Sequence, residues 1–245
     1  MTRIVCFLTP ARRRGIEYLD EPGVAPLITI RALLDVARSN ALFGGARALL
    51  RELDRVRHAH PARSFTLLDI GTGVGDLPAS VRRAAATHGV HITTIGVELN
   101  AALAYVAAGP ELPVVRANAL ALPFGDASVD IVTCSQMLHH FEDESARALI
   151  REMDRVARHH VIITELRRSW VAAATFWLAS FPLQFHPVSR HDGAVSVLRG
   201  FAGDELATLI RQSVAAAPAR HEYWGFRTAA SWSPRRGARH GPPVA

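Results

Sequence analysis

Lysine is absent from this 245-residue chain, and cysteine nearly so: all 28 basic residues are Arg, and Cys6 and Cys134 stand far apart. Two distant cysteines exclude a disulfide framework and a thiolate-type zinc cluster. With 17 Gly and 14 Pro there is too little of either for a collagen-like or low-complexity chain, and 49% hydrophobic residues exclude disorder throughout. Long apolar runs are missing as well. The longest, Trp170 to Phe181, stops at Pro182 and is too short to cross a bilayer. Ile4–Leu8 is too short for a signal-peptide core, and the Arg cluster follows it instead of preceding it, so the expected setting is cytoplasmic. No internal repeat is visible.

A net charge of +6 suggests a polyanionic partner until the charges are located. Arg3, Arg12, Arg13, Arg14, Arg235, Arg236 and Arg239 lie in two end segments that contain no acid, leaving 21 Arg against 22 Asp and Glu between them. The excess belongs to the ends, so a nucleic-acid substrate is not expected, and loose contact with RNA or acidic lipid would be confined to those ends. The organisation expected is a basic disordered leader over 1–14, a helical cap over 15–60, a ligand-binding domain over 61–228 with an apolar insert at about 168–200, and a disordered tail over 229–245.

Within 61–228, short apolar runs alternate with helical segments. Phe65–Ile70, His91–Val97, Pro113–Arg116, Val129–Ser135, His160–Thr164 and a final His221–Arg227 read as strands. Pro78–His88, Ala101–Ala108, Glu144–Arg158 and Phe201–Val214 read as helices. Such alternation implies right-handed crossovers and a mostly parallel, doubly wound α/β sheet.

The sharpest motif is Leu67-Leu68-Asp69-Ile70-Gly71-Thr72-Gly73-Val74-Gly75-Asp76, a buried strand running through a glycine turn into a helix. A dinucleotide site would want a third glycine at position 76, where pyrophosphate meets the helix N-terminus. Asp76 stands there instead, and with Asp69 it repels phosphate and suits a ligand carrying positive charge, which argues against a nicotinamide oxidoreductase. The second strand ends at Glu98-Leu99, where a carboxylate can accept both hydroxyls of a ribose. Asn118-Ala119-Leu120, Leu122-Pro123-Phe124, Asp126 and Val129-Asp130-Ile131-Val132 follow in order.

Together these motifs resemble the class I S-adenosylmethionine-dependent methyltransferases, in particular the small-molecule group that includes ubiquinone and menaquinone C-methyltransferases. The resemblance spans about residues 65–165 and extends more weakly to 225. It implies a seven-stranded Rossmann-like sheet with S-adenosylmethionine as cofactor. It also implies a cofactor site built from Asp69, Gly71, Thr72, Gly73, Gly75, Glu98, Leu99, Asn118, Ala119, Leu120, Ser135 and Gln136. Asn118 stands where most of the family has Asp, and its carbonyl oxygen can still accept from the adenine amino group. His139 and His140, just beyond the fourth strand, are the candidate bases for a phenolic or enolic acceptor.

His58/His60 and His159/His160 lack Cys or suitably spaced acids, so no metal is expected. Gly15–Asp20 and Arg190–Gly193 are polar clusters placed either to line an acceptor pocket or to cap elements. With Gly44-Gly45-Ala46-Arg47 they more faintly resemble methyltransferases of polyketide-type pathways. Trp170, Phe176, Trp177 and Phe181 lie on a segment apolar nearly all round, expected to wall a hydrophobic acceptor pocket together with the helices over 27–50, the alternatives being simple packing on the N-terminal helices and a homodimer face. The expected activity is O- or C-methylation of a hydrophobic, ring-bearing small molecule; the alternatives are a non-catalytic cofactor-binding module and an RNA methyltransferase.

Overall fold

Seven strands and eight α-helices make up the described residues, 9–13 and 15–234, of the computed structural model. The strands are β1 (Ser64–Ile70), β2 (His91–Glu98), β3 (Val114–Arg116), β4 (Val129–Ser135), β5 (Ala157–Leu166), β6 (Ala219–Tyr223) and β7 (Arg227–Trp232). They form one sheet in the order β3-β2-β1-β4-β5-β7-β6, parallel except for β7, which runs antiparallel to both its neighbours. Strand order reverses between β1 and β4, so the crevice above their carboxyl ends is where this architecture places ligands.

The period of two along each strand sends neighbouring residues to opposite layers. Leu67, Ile131 and Ile162 meet Leu49, Leu53 and Val56 of α2 (Gly45–Ala59) and Leu77 and Val81 of α3 (Asp76–Ala86). Leu68, Val132 and Ile163 face the other way, toward α5 (Asp143–Val156) and α8 (Glu205–Val214). In α5 the buried residues Ala146, Leu149, Ile150, Met153 and Val156 follow helical spacing, and each large one contributes roughly 1.5–3 kcal/mol by leaving water. The short α4 (Ala101–Ala107) joins β2 to β3, capped by Asn100, whose Oδ1 accepts the Ala102 N–H at 2.9 Å.

Three helices cover the carboxyl ends of the sheet: α1 (Pro26–Leu42), α6 (Trp170–Ser180) and α7 (Pro187–Arg199). Proline at the first turn starts α1 and α7, and the Ser169 hydroxyl accepts the Ala172 N–H at the start of α6. Asp35 of α1, fully buried, accepts from the His186 N–H at 2.7 Å and the Ser189 hydroxyl at 2.9 Å, locking α1 onto α7.

The structure corrects three boundaries. Residues 15–25 hold only a short 3-10 turn at Tyr18–Asp20, so the helical cap starts at Pro26. The end of the leader is packed rather than loose. Arg168, buried, donates to the Pro10 carbonyl at 2.8 Å, and the Arg12 guanidinium lies over the Phe201 ring while donating to the Arg199 carbonyl. The remaining leader positions 1–8 and 14, and the tail positions 235–245 with Arg235, Arg236 and Arg239, lie outside the described residues. At the other end, the expected strand His221–Arg227 is a hairpin turning through Trp224-Gly225-Phe226, and residues 229–232 belong to β7, not to a tail. Arg227–Trp232 is buried along its whole length because it inserts between β5 and β6, a placement that its small residues Thr228, Ala229, Ala230 and Ser231 permit but do not announce.

Candidate active site

A cavity of about 600 Å³ opens above the carboxyl ends of β1, β2 and β4, under the α1, α6 and α7 cap. Its floor is the turn after β1. Gly71, Gly73 and Gly75 all have positive φ, and Gly73 (φ +57°) turns its N–H to Glu98 Oε2 at 3.1 Å. Any side chain at Gly73 would be strained and would stand in the cavity, its Cβ 3.3 Å from Leu33 of α1. Glu98 also accepts the Asn100 N–H at 2.9 Å through Oε1, so this carboxylate both fixes the turn and faces the cavity.

Asp69, nearly inaccessible at the end of β1, accepts from the Thr133 hydroxyl at 2.7 Å. Burial pushes its carboxyl up to about 7, with the charges of Asp76 and Glu98 acting in the same direction. Asp76, in the first turn of α3, is raised by burial too. Three carboxylates therefore face one cavity, and among the described residues none of them forms an ion pair. The Thr72 hydroxyl is buried beside the Asp69 carboxyl at the same turn. A ligand bringing positive charge to this turn answers that deficit, which is how S-adenosylmethionine fits the residues present.

A polar chain ties this end together. Arg227 donates to Gln136 Oε1, the Gln136 amide donates to Asn40 Oδ1, and Asn40 donates to Asp76 Oδ2 at 3.0 Å. A cation at one end and a carboxylate at the other dictate the orientation of both amides. Gln136 is held at φ +53°, an arrangement costing on the order of 1–3 kcal/mol that aims its side chain across the cavity instead of along β4.

Of the cofactor-site residues named from sequence, Asp69, Gly71, Thr72, Gly73, Glu98, Leu99, Asn118, Ala119, Ser135 and Gln136 line the cavity. Gly75 and Leu120 do not. Gly75 forms the N-cap of α3 beneath the turn, and Leu120 contributes its N–H to Asn118 Oδ1 at 2.9 Å, which occupies one lone pair of the oxygen expected to face adenine.

Both candidate bases face the other half of the cavity, on a 3-10 turn at Leu138–His140. His139 Nδ1 lies 2.8 Å from Glu165, and His140 Nδ1 lies 2.9 Å from Asp20. Burial works against charging His140, but the Asp20 hydrogen bond and the Glu17 charge outweigh it and raise its pKa. Glu165 is pushed up by its burial, yet the charge and hydrogen bond of His139 bring it below the usual range. His139 Nε2 is buried and without a hydrogen-bond partner among the described residues. Glu17, from the extended segment before α1, reaches over both imidazoles, 3.9 Å from each Nε2.

Of the aromatic segment, Phe176 lines the cavity together with Phe185, whereas Trp177 and Leu178 are 46% and 62% exposed and point away. The Phe176 ring fits because position 193 on α7 is glycine: a Cβ there would meet the ring at 2.1 Å.

Sequence and structure comparisons agree with this geometry. Residues 68–163 match the family described as a methyltransferase domain. An uncharacterized methyltransferase of Mycobacterium avium is 35% identical over 105 residues, covering 41% of this chain and 39% of its own, so the chain spans about two fifths of the length of that curated relative. Among solved structures, an O-methyltransferase from neocarzinostatin biosynthesis superposes with a TM-score of 0.62 at 17% identity, covering 89% of this chain and 62% of its own. A methyltransferase from Aquifex aeolicus gives 0.59 at 12% identity over 84% and 98%. These structures share the fold. The family match over residues 68–163 identifies that segment as similar to methyltransferase domains. None of these matches singles out the quinone-biosynthesis group.

Proposed function

We propose that the chain transfers a methyl group from S-adenosylmethionine to a hydroxyl or an enol carbon of a hydrophobic, ring-bearing small molecule, in a cytoplasmic setting. The observation that carries this reading is the continuity of the cavity, which joins the carboxylate and glycine half to a half walled by Phe176, Phe185, Leu33 and Val36. The bound cofactor supplies an electrophilic methyl group on a sulfonium. Asp69 and the 71–75 turn hold its amino-acid end, Glu98 its ribose, and Asn118 and Ala119 its adenine. The chain contributes mainly by aligning the two reactants and excluding water. His139 or His140, each anchored through Nδ1 by a carboxylate, serves as the base that receives the acceptor's proton. For a hydroxyl acceptor, the new O–C bond forms as the S–C bond breaks, and the hydroxyl proton leaves through the imidazole.

The deciding experiment is incubation with labelled S-adenosylmethionine and parallel panels of phenols, fused-ring hydroxy acids and free amino acids, with mass spectrometry of the products. Labelling of ring-bearing phenols or enols is expected; labelling of amino acids alone would overturn the acceptor class. Glu98→Ala is expected to weaken cofactor binding by about 1–2 kcal/mol in calorimetry, since it removes charge-assisted hydrogen bonds and also frees the Gly73 and Asn100 N–H groups. Phe176→Ala is expected to raise acceptor KM about tenfold with cofactor affinity unchanged, whereas Trp177→Ala leaves both untouched because that ring faces outward. Equal effects of the two substitutions would refute this assignment of the wall.

A further inference from the structure

We infer that Glu17, His139 and His140 form a binding site for one divalent first-row transition-metal ion at the acceptor end of the cavity. The inference rests on the methyltransferase reading only for the acceptor's place, not for the site itself. Its starting point is an accounting of lone pairs and protons. Each imidazole has Nδ1 against a carboxylate, His139 on Glu165 at 2.8 Å and His140 on Asp20 at 2.9 Å. A carboxylate only accepts, so in both rings Nδ1 carries a proton and Nε2 is the nitrogen that can ligate, giving up any proton of its own to a metal ion. Both Nε2 atoms converge on Glu17, whose oxygens carry lone pairs, at 3.9 Å and beyond hydrogen-bonding reach. Three potential ligand atoms, one from each residue, thus lie within 4.8 Å of one another.

Two further observations point to a cation there. His139 Nε2 is buried on a residue only 4% exposed and has no hydrogen-bond partner among the described residues. An unsatisfied buried nitrogen costs on the order of 1–3 kcal/mol, a deficit that a metal bond removes. The outer contacts are also those of ligating histidines, which characteristically hand their second N–H to a carboxylate that fixes the ring and strengthens the donor nitrogen. Glu17 is itself held in place, accepting from Ser196 at 2.9 Å and facing Arg199 at 3.1 Å, both through Oε1, so Oε2 stays turned to His140.

The charge balance favours the ion. Glu17, Asp20 and Glu165 surround the trio, and Arg199 is the one guanidinium bonded to these carboxylates among the described residues. Two imidazoles and a carboxylate suit Zn²⁺ or Fe²⁺-type ions rather than Mg²⁺ or Ca²⁺, which want all-oxygen shells. Ligand atoms at about 2.1 Å from such an ion stand roughly 3.0–3.4 Å apart, so Glu17 and each imidazole, now 3.9 Å apart, close by about 0.5–0.9 Å on binding. Three protein ligands leave positions open toward Phe176 and Phe185, where an acceptor's oxygen donors would complete the shell.

The test begins with full-length protein stripped by a chelator and titrated with Zn²⁺ in a calorimeter, then with Co²⁺ followed by visible absorption. One ion per chain is expected, with a Co²⁺ spectrum of nitrogen and oxygen ligands. Glu17→Gln and His139→Gln are each expected to weaken binding at least about 100-fold, on the scale of losing one of three ligands. A His60→Gln/His159→Gln double variant, which removes the other closely stacked imidazole pair, is expected to bind as the wild type does. Absence of stoichiometric binding, unchanged affinity in Glu17→Gln, or loss of the ion in the double variant each overturns the site. Because the titrations contain neither cofactor nor acceptor, failure to bind metal while S-adenosylmethionine still binds would remove this site and leave the methyl-transfer reading in place.

Discussion

Gly73→Arg is expected to abolish S-adenosylmethionine binding, lowering affinity by at least about 10³-fold, or some 4 kcal/mol, while the sheet still folds. Two effects add. Position 73 sits at φ +57°, where a side chain costs roughly 1–2 kcal/mol, and the added chain enters the cavity against Leu33. The second effect is larger. A guanidinium launched from this turn is drawn to Asp69, Asp76 and Glu98 and sits where a cationic ligand would, neutralising the carboxylates that recruit it. Gly73→Ala, which adds the strain without the charge, should therefore lose far less. Calorimetry on both variants, with circular dichroism to verify the fold, separates strain from occupancy. Wild-type affinity in the arginine variant would mean that the ligand does not approach this turn.

Much of that cofactor half was legible in the sequence because its determinants are local. A glycine turn follows its strand directly, and Asp69, Glu98 and Ser135 take their places from being at or near strand ends, which period-two burial already locates. The rest of the site was only partly legible, because several of its parts arrive from remote segments. Glu17 comes from an extended stretch before α1, Asn40 from the last turn of α1 and Arg227 from the first residue of β7, and no local pattern pairs any of them with His139 or Gln136. Glu17 and Asp20 do fall in the polar cluster over 15–20, and Asp192 and Gly193 in the one over 190–193, which were the hints available.

Residues 170–181 show a different limit. A helix apolar nearly all round carries no periodicity from which to tell its inner face, and so it did not reveal that Phe176 looks in and Trp177 looks out. That choice is made by Gly193 on a neighbouring helix, which leaves room for the Phe176 ring. The β6–β7 hairpin was hidden for a related reason. Thr228, Ala229, Ala230 and Ser231 look like loop residues, but a strand buried on both faces between crowded neighbours favours small side chains.

Cofactor binding is expected to release close to one proton below pH 6.5, and its affinity is expected to rise about tenfold per pH unit from pH 5 to pH 7 before levelling, about 100-fold in all. The source is Asp69, which burial holds at about 7 against 3.8 for a free carboxyl. The sign follows from where the proton sits. With its pKa raised in the folded state, cofactor-free protein keeps this proton through the window from 3.8 to about 7, so its stability falls as pH rises across that range, by at most about 4 kcal/mol. A ligand ammonium beside the carboxyl favours the charged form, so binding expels the proton, and raising the pH removes the cost of doing so. The experiment is calorimetry in two buffers of different ionisation enthalpy, kept below pH 7.5 so that the ligand's own amino group stays charged. Asp69→Asn should bind more weakly and lose the pH dependence. Asp76 is also raised by burial, and Glu98 shares the cavity, so the variant is the discriminating step. A slope that persists in Asp69→Asn would assign the proton to Asp76, and no proton release at pH 6 would show that the bound cation does not reach the end of β1.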